Sequence, residues 1–525
     1  MKELLYNVCD FGAIGDGITK DTKALQQAID SCAEAGGGTV LVPSGSYISG
    51  TIYLKSNVEL HLSAGATILG SPDREDYNSD DIFPENGAFS SENVTGAHLI
   101  IAYCQENIAI TGTGTIDGNS PHFFDPLKED YKTYWFKQRN FTLISWRPGQ
   151  MIFLCRCKKI NVNNVTLNNS TYWNLFLLGC EDAHITGLTI TNPPATQNGD
   201  GIDIDCSRNV TISNCIIRSG DDCITIRANK RMLGENAMPC ENVVVTNCVL
   251  STPTCAIRVG VGDGKIRNST FNNIIVTEAR TAVSMILRYS ESSMHGAEIE
   301  QVHFSNFNVD VLIPFQINSG HIATFPAFLR DISFTCFKIK AWAGAQIIGT
   351  SDVQIKNIVF NNIDWEIHGG TDNCSFVDEL PEELSKFGYH GMNNTPAMPY
   401  VFYGRYLQNI IFNNVRVSWL QPSAVWQEGL FIDKGTEVEF RDVILRQPKQ
   451  NIGAAIHCRS VSNLFLKGCQ AEKGTNTFLK VEDSHNDANI KCMCNNLTEA
   501  TKAFDVDVPI IEAGNLYSYN NGKGS

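Results

Sequence analysis

Four aspartates stand in two short glycine-containing motifs near the middle of the chain. Asp200 and Asp203 lie in NGDGID, and Asp221 and Asp222 lie in GDDC about 21 residues after Asp200. Crowded carboxyl groups cannot all ionise freely, so one of them retains a proton that it can donate. Glycoside hydrolysis uses such a pair, one carboxyl to protonate the leaving oxygen and one carboxylate to activate water. Polar turns and a Ca²⁺ site are the alternative interpretations of the cluster.

Other polar and aromatic residues near the aspartates are candidates for substrate contacts. Arginine binds carboxylates through paired hydrogen bonds, and aromatic rings can stack on sugar rings. The alternative for each candidate is a solvated surface charge or a packing role. The candidates for substrate binding are Asp203, Arg227, Lys230, Arg258, Arg288 and Trp173.

A short apolar pattern of period two recurs along most of the chain and predicts the elements that position these residues. Examples are NVTISNCII (209–217), NVVVTNCVL (242–250) and NIVFNNIDW (357–365), and neighbouring copies are usually about 24–33 residues apart. Period two indicates β-strands, and each copy is too short to bury its own apolar face. Stacked copies bury a continuous column, so the pattern predicts an all-β parallel β-helix. Residues one coil apart then stack, which places Asp200 over Asp221 and Asp222.

The repeat also predicts the contents of each coil and the organisation of the chain. The recurrent asparagines suit left-handed corners, and valine, isoleucine and cysteine are expected to fill the interior. We expect a single domain over 1–525, with an N-terminal cap at about 1–45, coils at about 46–480 and a C-terminal cap or tail at about 481–525. A helix over 21–38, with Asp21 as N-cap and Gly36 as its stop, is expected to cap the column.

Composition excludes several classes of partner. The chain is 43% hydrophobic with a formal net charge of −15, which argues against nucleic acid and anionic membranes. No apolar run approaches the ~18 residues of a membrane span, and no signal-peptide pattern is present. We therefore expect a cytoplasmic protein, or alternatively a secreted or periplasmic one whose leader has been removed. Its 18 cysteines lack disulfide or zinc spacing, which predicts buried thiols such as Cys180, Cys215, Cys223 and Cys248.

Two motifs carry a family resemblance. NGDGIDID (198–205) and GDDCITI (220–226) resemble the signature motifs of the polygalacturonase family, glycoside hydrolase family 28. The segments 6–30 and 145–160 are also similar to that family, and the resemblance covers roughly 5–480. It implies a right-handed parallel β-helix that hydrolyses galacturonic-acid-containing pectic chains with inversion and without a metal ion or cofactor. By this resemblance Asp222 donates the proton, and Asp200 and Asp221 activate water.

The chain departs from the family pattern at two positions that bear on substrate choice. Cys255, in TPTCAIRVG (252–260), stands where the family has a histidine. The family also has an Arg-Ile-Lys motif that binds the substrate carboxylate, and here Ser284 and Ile286 stand in place of its Arg and Lys. Arg258 and Arg288 are candidates to bind the substrate carboxylate instead. The cysteine is similar to the rhamnogalacturonan-cleaving branch of the family.

The remaining expectations concern mode of action and assembly. Insertions near 71–95, 120–140 and 374–400 predict a cleft closed at one end and exo action on pectic oligosaccharides. We expect a monomer or a small homo-oligomer. Two alternatives to a hydrolase remain open: a Ca²⁺-dependent polysaccharide lyase of the pectate-lyase type, and a catalytically inactive carbohydrate-binding β-helix.

Overall fold

The computed structural model describes residues 5–78, 81, 83–86, 95–125, 145–288, 296–320, 327–369, 398–450, 452–485 and 487–518. Internal contacts divide the chain into two compact units. Unit 1 comprises Met1–Arg258 and Asp263–Ser269, and unit 2 comprises Val259–Gly262 and Thr270–Ser525. Within the described residues, no helix has the length and apolar character that crossing a bilayer would require.

Unit 1 consists mainly of short parallel strands. Its strands are β1 Leu5–Asn7, β2 Asp16–Lys20, β3 Gly38–Val42, β4 Gly45–Ser49, β5 Ile52–Tyr53, β6 Val58–Leu62, β7 Ala66–Gly70, β8 Ile100–Tyr103, β9 Glu106–Gly112, β10 Thr115–Asp117, β11 Ile152–Cys155, β12 Lys158–Asn163, β13 Thr166–Asn168, β14 Leu175–Leu178, β15 Glu181–Thr186, β16 Thr189–Thr191, β17 Ile202–Asp205, β18 Arg208–Ser213, β19 Ile216–Arg218 and β20 Ile224–Ala228. Two long strands, β21 Cys240–Gly262 and β22 Lys265–Ile286, contribute residues to both units.

Unit 2 is built in the same way. Its strands are β23 Glu298–Asn318, β24 Phe328–Ala341, β25 Ala345–Ile348, β26 Ile355–Ile367, β27 Tyr400–Arg405, β28 Leu407–Trp419, β29 Glu428–Asp433, β30 Thr436–Arg441, β31 Ile444–Leu445, β32 Ala454–Arg459, β33 Ser462–Lys467, β34 Gln470–Ala471, β35 Thr475–Glu482, β36 Ile490–Met493, β37 Asn496–Leu497, β38 Ala500–Val506, β39 Ile510–Ala513 and β40 Leu516–Tyr517. Paired strands therefore continue to Tyr517, beyond the end of the coils expected near 480.

Several coils of unit 1 contain three strands. In one coil β14, β15 and β16 pair in parallel with β17, β18 and β19 of the next coil. Alternate residues point inward because successive side chains of a strand lie on opposite faces. Every coil thus adds one layer of apolar side chains to the interior, and the parallel β-helix predicted from the repeat is confirmed.

Asparagines turn the corners between strands, as the repeat predicts. Asn209, Asn214, Asn242 and Asn247 all have φ between 56° and 57°. Asparagine tolerates this left-handed conformation better than most residues. Its side chain also bonds along the stack, since the Asn242 Nδ2 donates to Asn209 Oδ1 at 2.9 Å. The corners are therefore hydrogen-bonded ladders that hold neighbouring coils in register.

The interior differs in composition between the units. The cysteines predicted to be buried in unit 1 are buried and unbridged. Unit 2 instead contains a column of phenylalanines, with neighbouring ring centroids 4.9 to 5.2 Å apart: Phe271, Phe304, Phe334, Phe360, Phe412 and Phe440. The expectation that valine, isoleucine and cysteine fill the column was therefore incomplete. Inward-facing positions recur at the same place on successive coils, so phenylalanine rings can stack there face to face. Aliphatic side chains have no ring faces to stack in this way.

The N-terminal helix forms as predicted but is capped differently. Helix α1 spans Thr22–Glu34, buries Leu25 and Ile29, and packs against β1 and β3. Asp21 occupies the N-cap position, yet its side chain does not cap the helix. Its carboxylate instead accepts hydrogen bonds from the backbone N–H groups of Ile14, at 2.8 Å, and Gly15, at 3.0 Å. The short elements outside the strands are α2 Lys230–Leu233 and the 3₁₀ turns Val8–Phe11, Arg74–Asp76, Ser120–His122 and Gly234–Asn236.

Candidate active site

The aspartates lie on neighbouring coils of unit 1, where the strands place them at a common edge. Strand β17 pairs in parallel with β20, and Ile202 lies opposite Ile224. Asp200 precedes β17 and Asp222 precedes β20, so the two occupy matching positions. The backbone N–H of Gly201 donates to the Asp222 carbonyl at 2.8 Å, which joins the two segments directly. The register therefore brings the two motifs together, as their spacing predicts.

Asp200 and Asp203 are buried carboxyl groups that favour the protonated state. Burial raises the pKa of Asp200 well above its ordinary value, and the nearby charges of Asp203, Asp221 and Asp222 raise it further. Burial likewise raises the pKa of Asp203, although Arg227 opposes the shift. Asp200 Oδ1 and both carboxyl oxygens of Asp203 accept no hydrogen bond from the described residues. An ionised carboxylate is costly under these conditions, so the cluster retains protons.

Asp222 lies in an environment of the opposite kind. The Arg258 Nε donates to Asp222 Oδ2, and the Arg258 Nη2 donates to Oδ1 at 3.2 Å. Oδ1 also accepts from the backbone N–H of Cys255 and from Thr254 Oγ1, each at 3.3 Å. Donors directed at both oxygens hold the carboxyl group in place and occupy its acceptor positions. A carboxyl group that donates a proton must carry the hydrogen on one of these oxygens.

Asp221 is more exposed than its neighbours in the cluster. It is half-buried, whereas Asp200 and Asp222 are 5% and 4% exposed. Its Oδ1 accepts a hydrogen bond from Thr254 Oγ1 at 2.9 Å. A substrate oxygen can therefore reach Asp221 more easily than it can reach Asp200.

Arg227 and Trp173, two of the predicted substrate contacts, are buried in unit 1 and pack against each other. Arg227 lies on β20 between Asp203, at 3.7 Å, and Asp205, at 3.5 Å. Its guanidinium also covers the Trp173 ring at 4.4 Å. Trp173 is 1% exposed and stacks on Tyr172 with centroids 4.9 Å apart, so no sugar can reach its face.

The remaining predicted contact residues lie in different settings. Arg258 is engaged with Asp222, as described above. Lys230 is exposed at the start of α2, in unit 1. Arg288 belongs to unit 2 and is half-buried. Asp203 lies inside the carboxyl cluster and not on its surface.

Two residues of the site were not predicted from the sequence. Thr254 bridges Asp221 and Asp222, and Arg147 anchors the loop that precedes Asp200. The Arg147 Nη1 donates to the carbonyls of Thr171, at 2.9 Å, and Gln197, at 2.8 Å. The sequence feature that could have identified them is their position in segments that match the family, Thr254 in TPTCAIRVG and Arg147 in SWRPGQ.

The described ranges contain no group of three or more His, Cys, Asp or Glu side chains arranged to hold a metal ion. Most of the predicted insertions lie outside the described residues, namely 79–80, 82, 87–94, 126–140 and 374–397. The expectation that these insertions close one end of the cleft stays a prediction.

Comparison with known proteins identifies relatives at the level of sequence. The chain is 29% identical over 258 residues to a probable polygalacturonase of Vitis vinifera, an alignment that covers 48% of this chain and 50% of that protein. It is 28% identical over 417 residues to the exo-poly-alpha-D-galacturonosidase of Dickeya chrysanthemi, covering 68% and 67%. The matched regions thus span about half of the first relative and about two thirds of the second.

Comparison with solved structures shows the fold. The exopolygalacturonase of Thermotoga maritima matches with a TM-score of 0.58 at 22% identity, covering 70% of this chain and 88% of that one. The family 28 exopolygalacturonase of Yersinia enterocolitica matches with a TM-score of 0.57 at 20% identity, covering 89% and 78%. These likenesses confirm the right-handed parallel β-helix.

The family assignment rests on a direct match to a family model. The model of glycosyl hydrolases family 28 matches residues 32–318, which is more than half of the chain. This region includes both aspartate motifs and all the residues of unit 1 described around them. The chain belongs to glycosyl hydrolases family 28.

Proposed function

We propose that this protein hydrolyses α-glycosidic bonds of galacturonic-acid-containing pectic oligosaccharides, acting from a chain end and inverting the anomeric carbon. The observation that carries the proposal is the position of the buried Asp200, whose pKa burial raises, beside Asp222 on the next coil, whose two oxygens accept hydrogen bonds from Arg258. The relatives named as polygalacturonase and exo-poly-alpha-D-galacturonosidase support the substrate class and the exo action.

The retained proton is the acid of the proposed mechanism. Burial raises the pKa of Asp200, and the charge of the nearby Asp221 is among the factors that raise it further. Asp221 is the more exposed of the two, and we assign to it the delivery of this proton to the leaving glycosidic oxygen. As the bond between the anomeric carbon and that oxygen breaks, the leaving sugar departs as a neutral alcohol.

Asp222 is the base of the proposed mechanism. Its carboxylate takes a proton from the water whose oxygen forms the new bond to the anomeric carbon. One proton is thus delivered to the leaving sugar and one is taken from water, and the enzyme regains its starting charge after a proton transfer through solvent. This assignment exchanges the roles of Asp221 and Asp222 that the resemblance alone implied.

A product assay tests the proposed function. Purified protein is incubated, with and without EDTA, with oligosaccharides of galacturonan and of rhamnogalacturonan, and the products are separated by chromatography. The proposal predicts a saturated monosaccharide or disaccharide from at least one substrate, and its loss in Asp222→Asn. An unsaturated product that disappears with EDTA would indicate a lyase, and binding without any product would indicate an inactive carbohydrate-binding protein. Either result overturns the proposed function.

A further inference from the structure

Arg258 is a buried arginine whose contacts are with the protein's own catalytic candidates. It is 5% exposed and lies on β21 within unit 1, one coil after Asp222. Its Nε and Nη2 donate to the two carboxylate oxygens of Asp222, the second at 3.2 Å. The paired geometry fixes the plane of the carboxylate as well as its charge. A guanidinium directed in this way faces Asp222 and not an incoming sugar carboxylate.

Cys255 completes the arrangement at the position where related sequences have a histidine. Its Sγ accepts a hydrogen bond from Arg258 Nη2 at 3.4 Å, and its backbone N–H donates to Asp222 Oδ1. The segment 254–258 therefore presents donors to Asp222, and the Sγ of its Cys255 also accepts from the Arg258 guanidinium. An ionised carboxylate accepts such donors at both oxygens, whereas a protonated one must donate from one of them.

We propose that Arg258 is a positioning residue, which holds the Asp222 carboxyl group in the orientation that it needs to act as the base, and that it is not the group that binds the substrate carboxylate. The inference rests on the proposed function, because it assigns a partner to the base of that mechanism. The two hydrogen bonds from Arg258 to the Asp222 oxygens are the contacts that carry it.

The split between kcat and KM tests this role. Without the paired hydrogen bonds, the Asp222 carboxyl group can turn away from the attacking water, so Arg258→Gln should lower kcat about 10-fold or more. Arg258→Lys can supply one of the two hydrogen bonds and should recover part of this loss. KM should change little in either variant.

A substrate grip would give a different pattern. KM for uronate-containing oligosaccharides would rise many-fold in Arg258→Gln, while kcat stayed near that of the wild type, and that result would overturn the inference. Arg208→Gln is the matched control, because Arg208 also pairs with a carboxylate, Glu181, but on a surface where it is 45% exposed. Its kcat and KM should match those of the wild type.

The ion pair itself can be tested without substrate. Thermal unfolding is measured for Arg258→Gln, Asp222→Asn and the double variant at neutral pH. Each single variant leaves a buried charge without its partner, so the double variant should lose less in Tm than the sum of the two single losses. Additive losses would show that the two side chains do not interact and would overturn the inference. This result is independent of catalysis, so it judges the contact between Arg258 and Asp222 separately, whereas a wild type without hydrolytic activity would refute the proposed function.

Discussion

Asp203 is a carboxyl group whose burial has a cost in stability. Asp203 is completely buried, its oxygens accept no hydrogen bond from the described residues, and its closest cation is 3.7 Å away. The charge of Asp203 is also among the factors that raise the pKa of Asp200. A buried carboxyl group of this kind is unfavourable for folding.

We therefore expect Asp203→Asn to stabilise the protein and impair catalysis. Burial raises the pKa of Asp203 above the ~3.9 of an unfolded chain, so folding takes up a proton and stability falls as pH rises from there. Asparagine lacks this ionisation, and the variant should gain about 1 kcal/mol at pH 8 and less at pH 4. Denaturant unfolding at both pH values measures the gain. A loss of stability at pH 8, or a gain that the exposed Asp310→Asn shares, would contradict the prediction.

The acid and the base should respond differently to the leaving group. Asp221→Asn should lower kcat on natural oligosaccharides about 10²–10⁴-fold, but much less on a nitrophenyl glycoside, whose leaving group needs no proton. Asp222→Asn should lower kcat on both substrates, and azide should restore its turnover by replacing activated water. Initial rates on both substrates, with and without azide, show which of the two residues is the acid and which is the base. The reverse pattern would return the proton-donating role to Asp222.

The composition of the site was predictable from the sequence, but its pairings were not. Residues one coil apart in sequence stack above each other in a parallel β-helix, so the spacing of the two motifs predicted that Asp200 lies near Asp222. The pair between Asp222 and Arg258 depends on side-chain direction across 36 residues, which a motif does not encode. The side-chain contact that covers Trp173 could not be read from a motif either. Arg227, on a later strand, lies over the ring that was predicted to stack on a sugar.

At the level of the elements, the corners and the interior stack hold the coils in register. The strand pattern was predictable because period two is a local property of the sequence. The length of β21, which runs without a break from Cys240 to Gly262, was not predicted. Its corner residues Asn242 and Asn247 adopt left-handed φ values, so the chain turns while the pairing of strands continues.

The phenylalanine column of unit 2 should contribute strongly to stability. Phe334 stacks between Phe304, at 5.2 Å, and Phe360, at 5.0 Å, with no exposed surface. We expect Phe334→Ala to lower the free energy of unfolding by about 3–5 kcal/mol, because it removes a large side chain from a closely packed core. Equilibrium unfolding in urea measures the change.

Phe465 provides the control for this substitution. It lies between the buried Leu464 and Leu466 on β33, is half-buried, and points away from the interior. Phe465→Ala should cost less than about 1 kcal/mol. Equal losses in the two variants would mean that the stacked column has no special role.

For the whole molecule, the net charge of −15 opposes the approach of an anionic substrate. Salt screens this repulsion, since the Debye length shrinks from about 30 Å at 0.01 M to about 8 Å at 0.15 M. We therefore expect KM for a galacturonate oligosaccharide to fall as salt rises over this range. Steady-state kinetics with a methyl-esterified, uncharged oligosaccharide gives the comparison, and its KM should not change. A rise in KM for the anionic substrate would show that local basic groups dominate its binding.

The stereochemistry of the released sugar reports the reaction and its geometry together. Proton NMR follows the wild-type enzyme acting on an α-linked oligosaccharide, before the released sugar mutarotates. We expect the β-anomer of a saturated sugar to appear first and to equilibrate with the α-anomer only later. Initial release of the α-anomer would show retention, and an olefinic proton signal would show elimination. Either result would contradict the assignment of Asp221 as acid and Asp222 as base in an inverting hydrolase.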